Sequence, residues 1–229
     1  MAKGHDGPRA EVGDTLLRRG ADTLLSRSAW IDGLGLLVKS ATIFPGNADR
    51  DLPTIGGGVS LFDDATGTLA ATLDFRLVTK WKTAGDSLLA ARHLARADST
   101  DIVIVGAGTV GASLRAAYGA LFPQARFRVW NRTAARAEAL AAGWPATEAV
   151  PDLEAAVRSA DIVTVATMVT DPIISGDWLH PGTHLDLIGA YRPDMREADD
   201  AALKAARIFV DARETTIGHI GELSDPIAR

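Results

Sequence analysis

A short apolar run followed by a glycine motif constrains this chain more than any other feature. Residues 102–105 are the kind of apolar run that fills a buried parallel strand. Gly106, Gly108 and Gly111 follow it in G-x-G-x-x-G spacing, and residues 112–121 then have helical character. Such glycines allow a tight turn, close approach of the backbone to a pyrophosphate, and close packing of helix on strand. In this strand-turn-helix order the motif predicts a dinucleotide-binding site.

Strands and helices alternate after the motif. Further strand candidates lie at residues 126–130, 146–150, 161–166, 183–188 and 207–211, and helix candidates lie at residues 134–142 and 152–159. Alternation of this kind predicts a parallel sheet with helices on its faces. We therefore predict an α/β fold, with a Rossmann-type doubly wound domain over residues 98–215.

The first third of the chain has a different pattern. Strand candidates lie at residues 34–44, 58–62 and 68–74, and the turn-rich residues 63–67 join the last two as a hairpin. This pattern predicts a smaller, partly antiparallel α+β domain over residues 1–97.

Two further predictions concern the start of this domain and its end. Residues 1–14 carry no periodic pattern and are predicted to lack regular structure, while the leucine pairs in residues 15–26 predict a short helix weakened by Gly20. Residues 77–96 read as a helix rich in small residues, interrupted near Gly85 and capped by Asp86 or Ser87. The domain junction is expected in this helix or at residues 97–100.

Composition excludes several classes of protein. A net charge of −5 without a basic stripe argues against a nucleic-acid partner. The absence of cysteine excludes disulfides and a cysteine nucleophile, and the five histidines are too scattered for a metal site. No apolar run approaches the roughly 20 residues that span a bilayer, and no signal peptide is evident. A cytoplasmic enzyme without membrane contact is expected.

The acidic residues of the second half have a simpler interpretation than catalysis. They sit mainly before helices or in turns, where carboxylates serve as helix caps. The residues concerned are Asp152, Asp161, Asp194, Glu197, Asp199 and Asp200. We expect caps rather than acid–base groups.

The turn after the second strand of such a domain selects the dinucleotide. An acidic residue there binds the ribose hydroxyls of NAD, whereas a 2′-phosphate requires a cation. Here the turn is Asn131-Arg132-Thr133, without a carboxylate. Arg132 can bind a phosphate with two parallel hydrogen bonds, and Asn131 and Thr133 can donate to the same group. The turn therefore predicts NADPH, with NADH less favoured; the alternative is a solvated arginine beside a capping threonine.

Several longer stretches occur together in an order that is far more specific than the glycine motif. They are VKSATIFPGN (38–47), VSLFDDATGTLAATLD (59–74), WKTAGDSLLAARHLAR (81–96), VGAGTVGAS (105–113), VWNRTAARAEALA (129–141), HLDLIGAYRPDMREADDAAL (184–203) and GELSDP (221–226). In this order the sequence resembles the ornithine cyclodeaminase/mu-crystallin family, and most closely its imine-reducing members. In that family a returning segment completes a substrate-binding and dimerisation domain. The resemblance therefore implies this role for residues 1–97, and it implies that residues 216–229 begin such a segment and that the domain is incomplete here.

The resemblance also implies roles for particular residues. Lys39 matches a family lysine that holds the substrate, and Lys82 stands where the family usually has arginine, so two cations would bind and orient a substrate carboxylate. A lysine cannot form the bidentate fork of an arginine. The family arginine expected from the N-terminal region has only a weak match in Arg27. The remaining matches are cofactor contacts: Thr83; Gly106, Ala107, Gly108, Thr109, Val110 and Gly111 around the pyrophosphate; and Thr167, Met168, Ile188 and Gly189 around the nicotinamide.

One departure from the family separates its activities. The cyclodeaminases carry an aspartate after the fifth strand that assists proton movement, and Tyr191 stands at the corresponding place here. Loss of this aspartate favours NADPH-dependent reduction of a cyclic imine carboxylate, such as Δ1-pyrroline-2-carboxylate or its six-membered analogue. The resemblance also implies a homodimer. Two alternatives stay open: an ornithine cyclodeaminase or amino-acid dehydrogenase, and a non-catalytic, crystallin-like protein that binds NADPH.

Overall fold

The chain forms two compact units in a computed structural model that describes residues 6–228, except for the side chains of residues 48 and 215. The first unit is Met1–Lys82 and the second is Thr83–Arg229. The boundary between them lies inside the helix Phe75–Leu94, and the expectation from the sequence was a junction in this helix or at residues 97–100. The predicted α/β class, with a parallel sheet beside a separate antiparallel sheet, is confirmed.

The first unit is a five-stranded sheet whose strands follow one another in sequence order. All neighbouring pairs are antiparallel. The strands are β1 (Glu11–Arg19), β2 (Asp22–Ile31), β3 (Gly35–Ile43), β4 (Ile55–Phe62) and β5 (Leu69–Asp74). A 3₁₀ helix, Pro45–Arg50, connects β3 to β4. The last three strands and the hairpin loop between β4 and β5 are confirmed predictions.

The start of the first unit differs from the sequence-based expectation. The short helix predicted for residues 15–26 is wrong, because these residues form the β1–β2 hairpin around Gly20, whose φ is +57°. Absence of regular structure is also wrong for residues 11–14, which lie in β1, while residues 1–5 lie outside the described residues. Leucines paired across the hairpin favour a sheet over a helix weakened by glycine. The pairs are Leu16 with Leu25 and Leu17 with Leu24.

One glycine allows the central strands of this sheet to pack on the aromatic ring that follows them. Gly57 in β4 has a φ of +153°, and a Cβ there would lie 2.0 Å from the Ser40 carbonyl oxygen and 2.8 Å from the Phe75 ring. No other residue fits this position without displacing β3. The sheet and Phe75 therefore approach each other more closely than side chains would permit.

Helix α1 (Phe75–Leu94) begins directly after β5. The Asp74 carboxylate accepts a hydrogen bond from the Leu77 backbone N–H at 2.7 Å, which caps the first turn. The interruption predicted near Gly85 is wrong, since the helix continues through it without a break. The cap at Asp74, well before Asp86 and Ser87, fixes the start of the helix, and one glycine in its interior costs only about 1 kcal/mol.

The second unit is a parallel sheet with strand order β10-β9-β6-β7-β8. Its strands are β6 (Asp101–Val105), β7 (Arg126–Trp130), β8 (Thr147–Ala149), β9 (Ile162–Val165) and β10 (His184–Leu187), and its helices are α2 (Thr109–Leu121), α3 (Ala134–Ala142), α4 (Leu153–Arg158), α5 (Asp200–Ala205), α6 (Arg213–Thr216) and α7 (Gly221–Ala228). A 3₁₀ helix, Gly176–Trp178, precedes β10. The sheet is covered on both faces, because Ile102 and Ile104 of β6 enter one apolar cluster while Val103 and Val105 enter another.

The sixth strand predicted at residues 207–211 is wrong. These residues have no regular structure, and the side chains of Ile208 and Phe209 are about half exposed. Within the described part of the chain no strand pairs with the outer side of β10, so the described sheet ends at β10. Within residues 216–229, which the sequence predicts to begin a segment that returns to the first domain, Gly221–Ala228 form α7. The return to the first domain stays a prediction.

The described residues contain neither a membrane-spanning helix nor a metal-binding cluster. None of the helices within residues 6–228 is long and apolar enough to cross a membrane. The same residues hold no cluster of three or more histidine, aspartate or glutamate side chains suited to a metal ion.

Candidate dinucleotide-binding edge and cationic cluster

The strand order of the second unit locates its ligand-binding edge. From β6 the chain proceeds to β7 and β8 on one side and then returns to β9 and β10 on the other. Open α/β sheets bind ligands beyond the carboxyl ends of their strands, at the point where this order reverses. That point lies between β6 and β9, where Gly106 and Thr167 emerge. A Cβ on Gly106 would lie 2.5 Å from the Ala166 carbonyl oxygen and 3.4 Å from the Thr167 methyl group.

The three motif glycines occupy different environments at this edge. Gly106 adopts a φ of +109° that other residues rarely take. A Cβ on Gly111 would lie 1.9 Å from the Gly106 carbonyl oxygen, so this glycine is required for helix α2 to pack on β6. A Cβ on Gly108 would meet nothing within 4 Å. The space above Gly108 is therefore open, as the close approach of a pyrophosphate requires.

Helix α2 begins at this open space. Gly108 is its N-cap residue without a side-chain cap, Thr109 is exposed, and Val110 is half-buried in the first turn. The first backbone N–H groups of a helix have no intrahelical partner and attract phosphate. Beside them lies a cavity of about 560 Å³, lined in part by Ala107, Arg136 and Trp144. These residues fit a dinucleotide pyrophosphate.

The turn after β7 is joined to the glycine motif by one side chain. Asn131 Oδ1 accepts a hydrogen bond from the Ala107 backbone N–H at 3.0 Å, and Asn131 Nδ2 donates to the Thr133 carbonyl oxygen at 3.0 Å. Asn131 therefore shapes this turn with its own amide. Arg132 is exposed, and Thr133 is the N-cap residue of α3 but makes no capping hydrogen bond through its side chain. Arg132 and the Thr133 hydroxyl are the groups that this turn offers to a ligand.

The carboxyl ends of β9 and β10 are tied together by a buried carboxylate. Glu197 Oε1 accepts hydrogen bonds from the Thr167 backbone N–H at 2.7 Å and from Thr167 Oγ1 at 2.6 Å, while Glu197 Oε2 accepts from the Gly189 backbone N–H at 2.8 Å. Met168, beside Thr167, is 71% exposed, and Ile188 is half-buried. The residues expected to line the nicotinamide therefore lie together at one edge of the sheet.

The interpretation of Glu197 as a helix cap is wrong. The side chain is fully buried, and burial raises its pKa to about 7 against the hydrogen bonds from Thr167 and Gly189, which favour the charged form. By contrast, Asp152 and Asp199 do cap helices, by accepting from Ala155 and Ala202 backbone N–H groups. No local pattern distinguishes Glu197 from its acidic neighbours, since its burial arises from residues distant in the sequence.

Three cations come together in the first unit. Lys39 lies directly opposite Arg27 across the β2–β3 pair, and its Nζ lies 5.0 Å from the centre of the Phe75 ring. Partial burial lowers the pKa of Lys39, and the nearby charges of Lys82 and Arg27 lower it further. Like charges placed opposite each other destabilise a sheet, and a bound anion would reduce this repulsion. Arg27 also pairs with Asp14 at 2.6 Å.

Two of these three cations were predicted from the sequence as a pair. Lys39 and Lys82 were expected to act together, and both belong to this cationic cluster of Lys39, Lys82 and Arg27. Arg27, only weakly matched from sequence, joins them through strand register, which becomes evident only when the β1–β2 hairpin is in place. Thr83 follows Lys82 in α1, is half-buried, and belongs to the second unit.

A parallel sheet with this strand order, a glycine turn before α2 and an open edge define a Rossmann-type dinucleotide-binding unit. The family model described as "Ornithine cyclodeaminase/mu-crystallin family" matches residues 32–225. This chain belongs to that family. The expected relationship is therefore confirmed.

Two individual relatives are similar to this chain over most of its length. A Delta(1)-pyrroline-2-carboxylate reductase from Paracoccus denitrificans is 52% identical over 233 residues, which cover 100% of this chain and 74% of that protein. A ketimine reductase mu-crystallin from Rattus norvegicus is 34% identical over 189 residues, covering 82% of this chain and 60% of that protein. The chain thus spans about three fifths to three quarters of the length of these relatives.

Solved structures share the fold. The Delta(1)-pyrroline-2-carboxylate reductase of Thermococcus litoralis, in complex with NADH and L-proline, has a TM-score of 0.85 at 25% identity, covering 96% of this chain and 71% of that one. An archaeal alanine dehydrogenase dimer with bound NAD has a TM-score of 0.86 at 26% identity, covering 96% of this chain and 69% of that one. Both neighbours were solved with a nicotinamide dinucleotide bound.

Proposed function

We propose that this chain carries the NADPH-dependent reduction of a cyclic imine carboxylate to the corresponding cyclic amino acid, with Δ1-pyrroline-2-carboxylate or Δ1-piperideine-2-carboxylate as the type of substrate. The observation that carries the proposal is the 52% identity to a pyrroline-2-carboxylate reductase along the whole chain. Members with this relationship are oxidoreductases that act on carbon–nitrogen bonds, and the open edge of the second unit suits their cofactor.

The second unit would bind the dinucleotide along that edge. The first-turn N–H groups of α2 would receive the pyrophosphate, and the open space at Gly108 would allow its close approach. Thr167 and Gly189 would flank the nicotinamide. When bound, the reduced dinucleotide supplies a hydride for the imine carbon, a step that protonation of the imine nitrogen assists. The chain contributes orientation and electrostatics.

Preference for NADPH is the finer part of the proposal. Arg132 is exposed at the turn after β7, Thr133 leaves its hydroxyl without a capping bond, and no carboxylate is present to bind two ribose hydroxyls. A guanidinium binds a 2′-phosphate with charge-assisted hydrogen bonds of about 1.5–3 kcal/mol. Arg132→Ala should therefore weaken NADPH binding by roughly ten- to a hundredfold and leave NADH binding unchanged. Equal losses for both dinucleotides would contradict the assignment.

The cationic cluster would bind the carboxylate of the substrate. Lys39 is partly buried, and its pKa is lowered by burial and by the charges of Lys82 and Arg27. A negatively charged ligand at this place would stabilise the charged form of Lys39. The imine ring would then be oriented by its carboxylate. Tyr191, in place of the cyclodeaminase aspartate, is exposed and lies over Arg192. It offers no carboxylate for proton transfer during deamination, which favours reduction.

The decisive assay is the loss of NADPH absorbance with a panel of cyclic imines and amino acids. Oxidation of NADPH by five- or six-membered imine carboxylates is expected, without ammonia release from ornithine. Ammonia release, or oxidation of an open-chain amino acid, would support the dehydrogenase or cyclodeaminase alternative. Binding of NADPH without turnover of any imine would support a non-catalytic, crystallin-like protein.

Substitutions in α1 and β3 test the carboxylate site. Lys39→Ala and Lys82→Ala should each raise KM for the imine at least tenfold, because each removes a cation from the cluster, and should leave the Kd of NADPH unchanged. Lys80→Ala is the matched control, since Lys80 lies on the same helix and its Nζ contacts the Trp81 ring at 4.9 Å. An unchanged KM in Lys39→Ala would remove Lys39 from the site.

We also propose that the chain assembles as a homodimer. The archaeal alanine dehydrogenase that shares its fold is a dimer. In the first unit, large apolar side chains remain exposed on both faces of the sheet, which supports association through this unit. They include Val12, Leu16, Leu17, Trp30 and Leu69. Light scattering should give twice the chain mass; a monomer at all concentrations would refute this.

A further inference from the structure

The buried carboxylate of Glu197 joins the ends of two neighbouring parallel strands. β9 and β10 pair in register, with Val165 opposite Leu187, and the Ile188 N–H donates to the Val165 carbonyl oxygen at 3.0 Å. Beyond this bond the strand ladder stops. Glu197 then provides the next connection, by accepting from Thr167 on one side and Gly189 on the other.

The spacing between these two strand ends is set closely. A Cβ on Gly189 would lie 2.2 Å from the Thr167 carbonyl oxygen and 2.3 Å from Glu197 Oε1. Only glycine fits between them, so the segments that contain Thr167 and Gly189 lie close together at this point. Loss of an acceptor on Glu197 would leave an N–H group unsatisfied at this point and separate the segments.

The backbone of Glu197 is itself held by hydrogen bonds. Its backbone N–H donates to Glu222 Oε2 at 2.7 Å, and its carbonyl oxygen accepts from the Ile173 and Ile174 N–H groups at 3.0 and 2.9 Å. Glu222 lies in α7 and also accepts from the Ala198 N–H at 3.1 Å. The carboxylate is thus presented to the two strand ends by a backbone that is fixed on both sides.

We propose that Glu197 is a positioning residue that holds Thr167 and Gly189 in the spacing that receives the nicotinamide ring. The inference rests on the proposed function, because it takes the carboxyl ends of β9 and β10 as the nicotinamide side of the dinucleotide site. It concerns only that side of the ligand. The glycine motif and Arg132, which serve the pyrophosphate and the adenosine half, make no contact with Glu197 among the hydrogen bonds of the described residues.

A paired binding measurement separates the two halves of the ligand. NADP⁺ and 2′-phospho-adenosine diphosphoribose differ only in the nicotinamide, so the ratio of their affinities reports the nicotinamide side alone. In Glu197→Gln an amide N–H₂ replaces one acceptor oxygen at nearly the same volume and faces a backbone N–H. The preference for NADP⁺ over the fragment should fall about tenfold, and the Kd of the fragment should stay unchanged.

Asp199→Asn is the matched control. Asp199 also joins two segments as a carboxylate, by accepting from the Gly176 N–H at 2.9 Å and the Ala202 N–H at 2.8 Å, away from the strand ends. It should retain the wild-type ratio. An unchanged ratio in Glu197→Gln, or an equal fall in Asp199→Asn, would overturn the inference. Failure of the wild type to bind either ligand would remove the proposed function, and this inference with it.

The pH dependence of the same ratio tests the inference without relying on a variant that must fold. The charged groups around Glu197 are Glu222 and Asp225 of α7, and Arg196, which pairs with Asp225 and with Asp200 of α5. Protonated Glu197 lacks one acceptor, so the ratio should be about fivefold smaller at pH 6 than at pH 8 in the wild type. The 2′-phosphate also titrates near pH 6, but it is common to both ligands and cancels.

The outcomes of this second measurement are equally decisive. Glu197→Gln should show a flat ratio across this range, and Asp199→Asn should keep the wild-type dependence. A flat ratio in the wild type would overturn the inference. A pH dependence that persists in Glu197→Gln would assign the titration to Glu222 and would overturn it as well.

Discussion

The pH dependence of stability offers a direct test of the buried state of Glu197. Burial raises the pKa of this carboxyl from 4.5 to about 7. The unfolded chain therefore loses the proton near pH 4.5, while the folded protein keeps it until about pH 7. Because the folded state binds more protons in this window, the stabilising contribution is present below pH 4.5 and is lost as pH rises through 7.

The size of the effect follows from the width of the window. One pKa unit corresponds to about 1.4 kcal/mol, so the free energy of unfolding of the wild type should fall by about 3 kcal/mol relative to Glu197→Gln between pH 4.5 and pH 8. The glutamine side chain cannot ionise and lacks this dependence. Urea denaturation followed by circular dichroism, at half-unit pH steps, measures the difference between the two proteins.

Asp199→Asn supplies the control for this measurement as well. Hydrogen bonds from Ala202, Gly176 and Ser175 lower the pKa of Asp199, against its desolvation. Its stabilising contribution is therefore lost only as pH falls below 3.8, outside the window, and the difference from wild type should be flat from pH 4.5 to 8. Parallel curves for the wild type and Glu197→Gln would refute the argument that desolvation dominates at Glu197.

Three further substitutions test how the second unit is built. Gly111→Ala should destabilise it by several kcal/mol, as thermal denaturation would show, because a Cβ would lie 1.9 Å from the Gly106 carbonyl oxygen. Gly108→Ala should keep wild-type stability, since its Cβ would meet nothing within 4 Å, but should weaken dinucleotide binding in calorimetry. Asp101→Asn should lower the free energy of unfolding by about 3–5 kcal/mol, because it leaves buried Arg128 without its ion-pair partner; a loss below 1 kcal/mol in urea denaturation would contradict this.

Much of the second unit could be predicted from sequence because its signals are local. The apolar run of β6, the glycine turn and α2 are adjacent in the chain, and together they form one strand-turn-helix unit. The strands β7 and β9 follow the same rule. The segment at residues 207–211 has an equally good local pattern but forms no strand, although β10 has no neighbouring strand on its outer side among the described residues. A local apolar pattern is therefore not sufficient for a strand.

The first unit shows where local signals fail. Leucine doublets at residues 15–26 are compatible with a helix, and only pairing across Gly20 makes them a hairpin. Arg27 becomes relevant through the same pairing, because register with β3 sets it opposite Lys39. Strand register depends on residues far apart in the sequence, and a shift of one residue would move Arg27 to the other face.

Glu197 illustrates a different limit, in which function and stability conflict. Its charged form costs stability in the folded protein, as the raised pKa shows, and an uncharged side chain of similar size would avoid that cost. A carboxylate has nevertheless the acceptor capacity that Thr167 and Gly189 require together, since the first uses both its N–H and its hydroxyl. A glutamine provides one acceptor oxygen and a donor in place of the other. The geometry of the strand ends is therefore maintained at the expense of local stability, which is the balance expected where a fold holds its ligand.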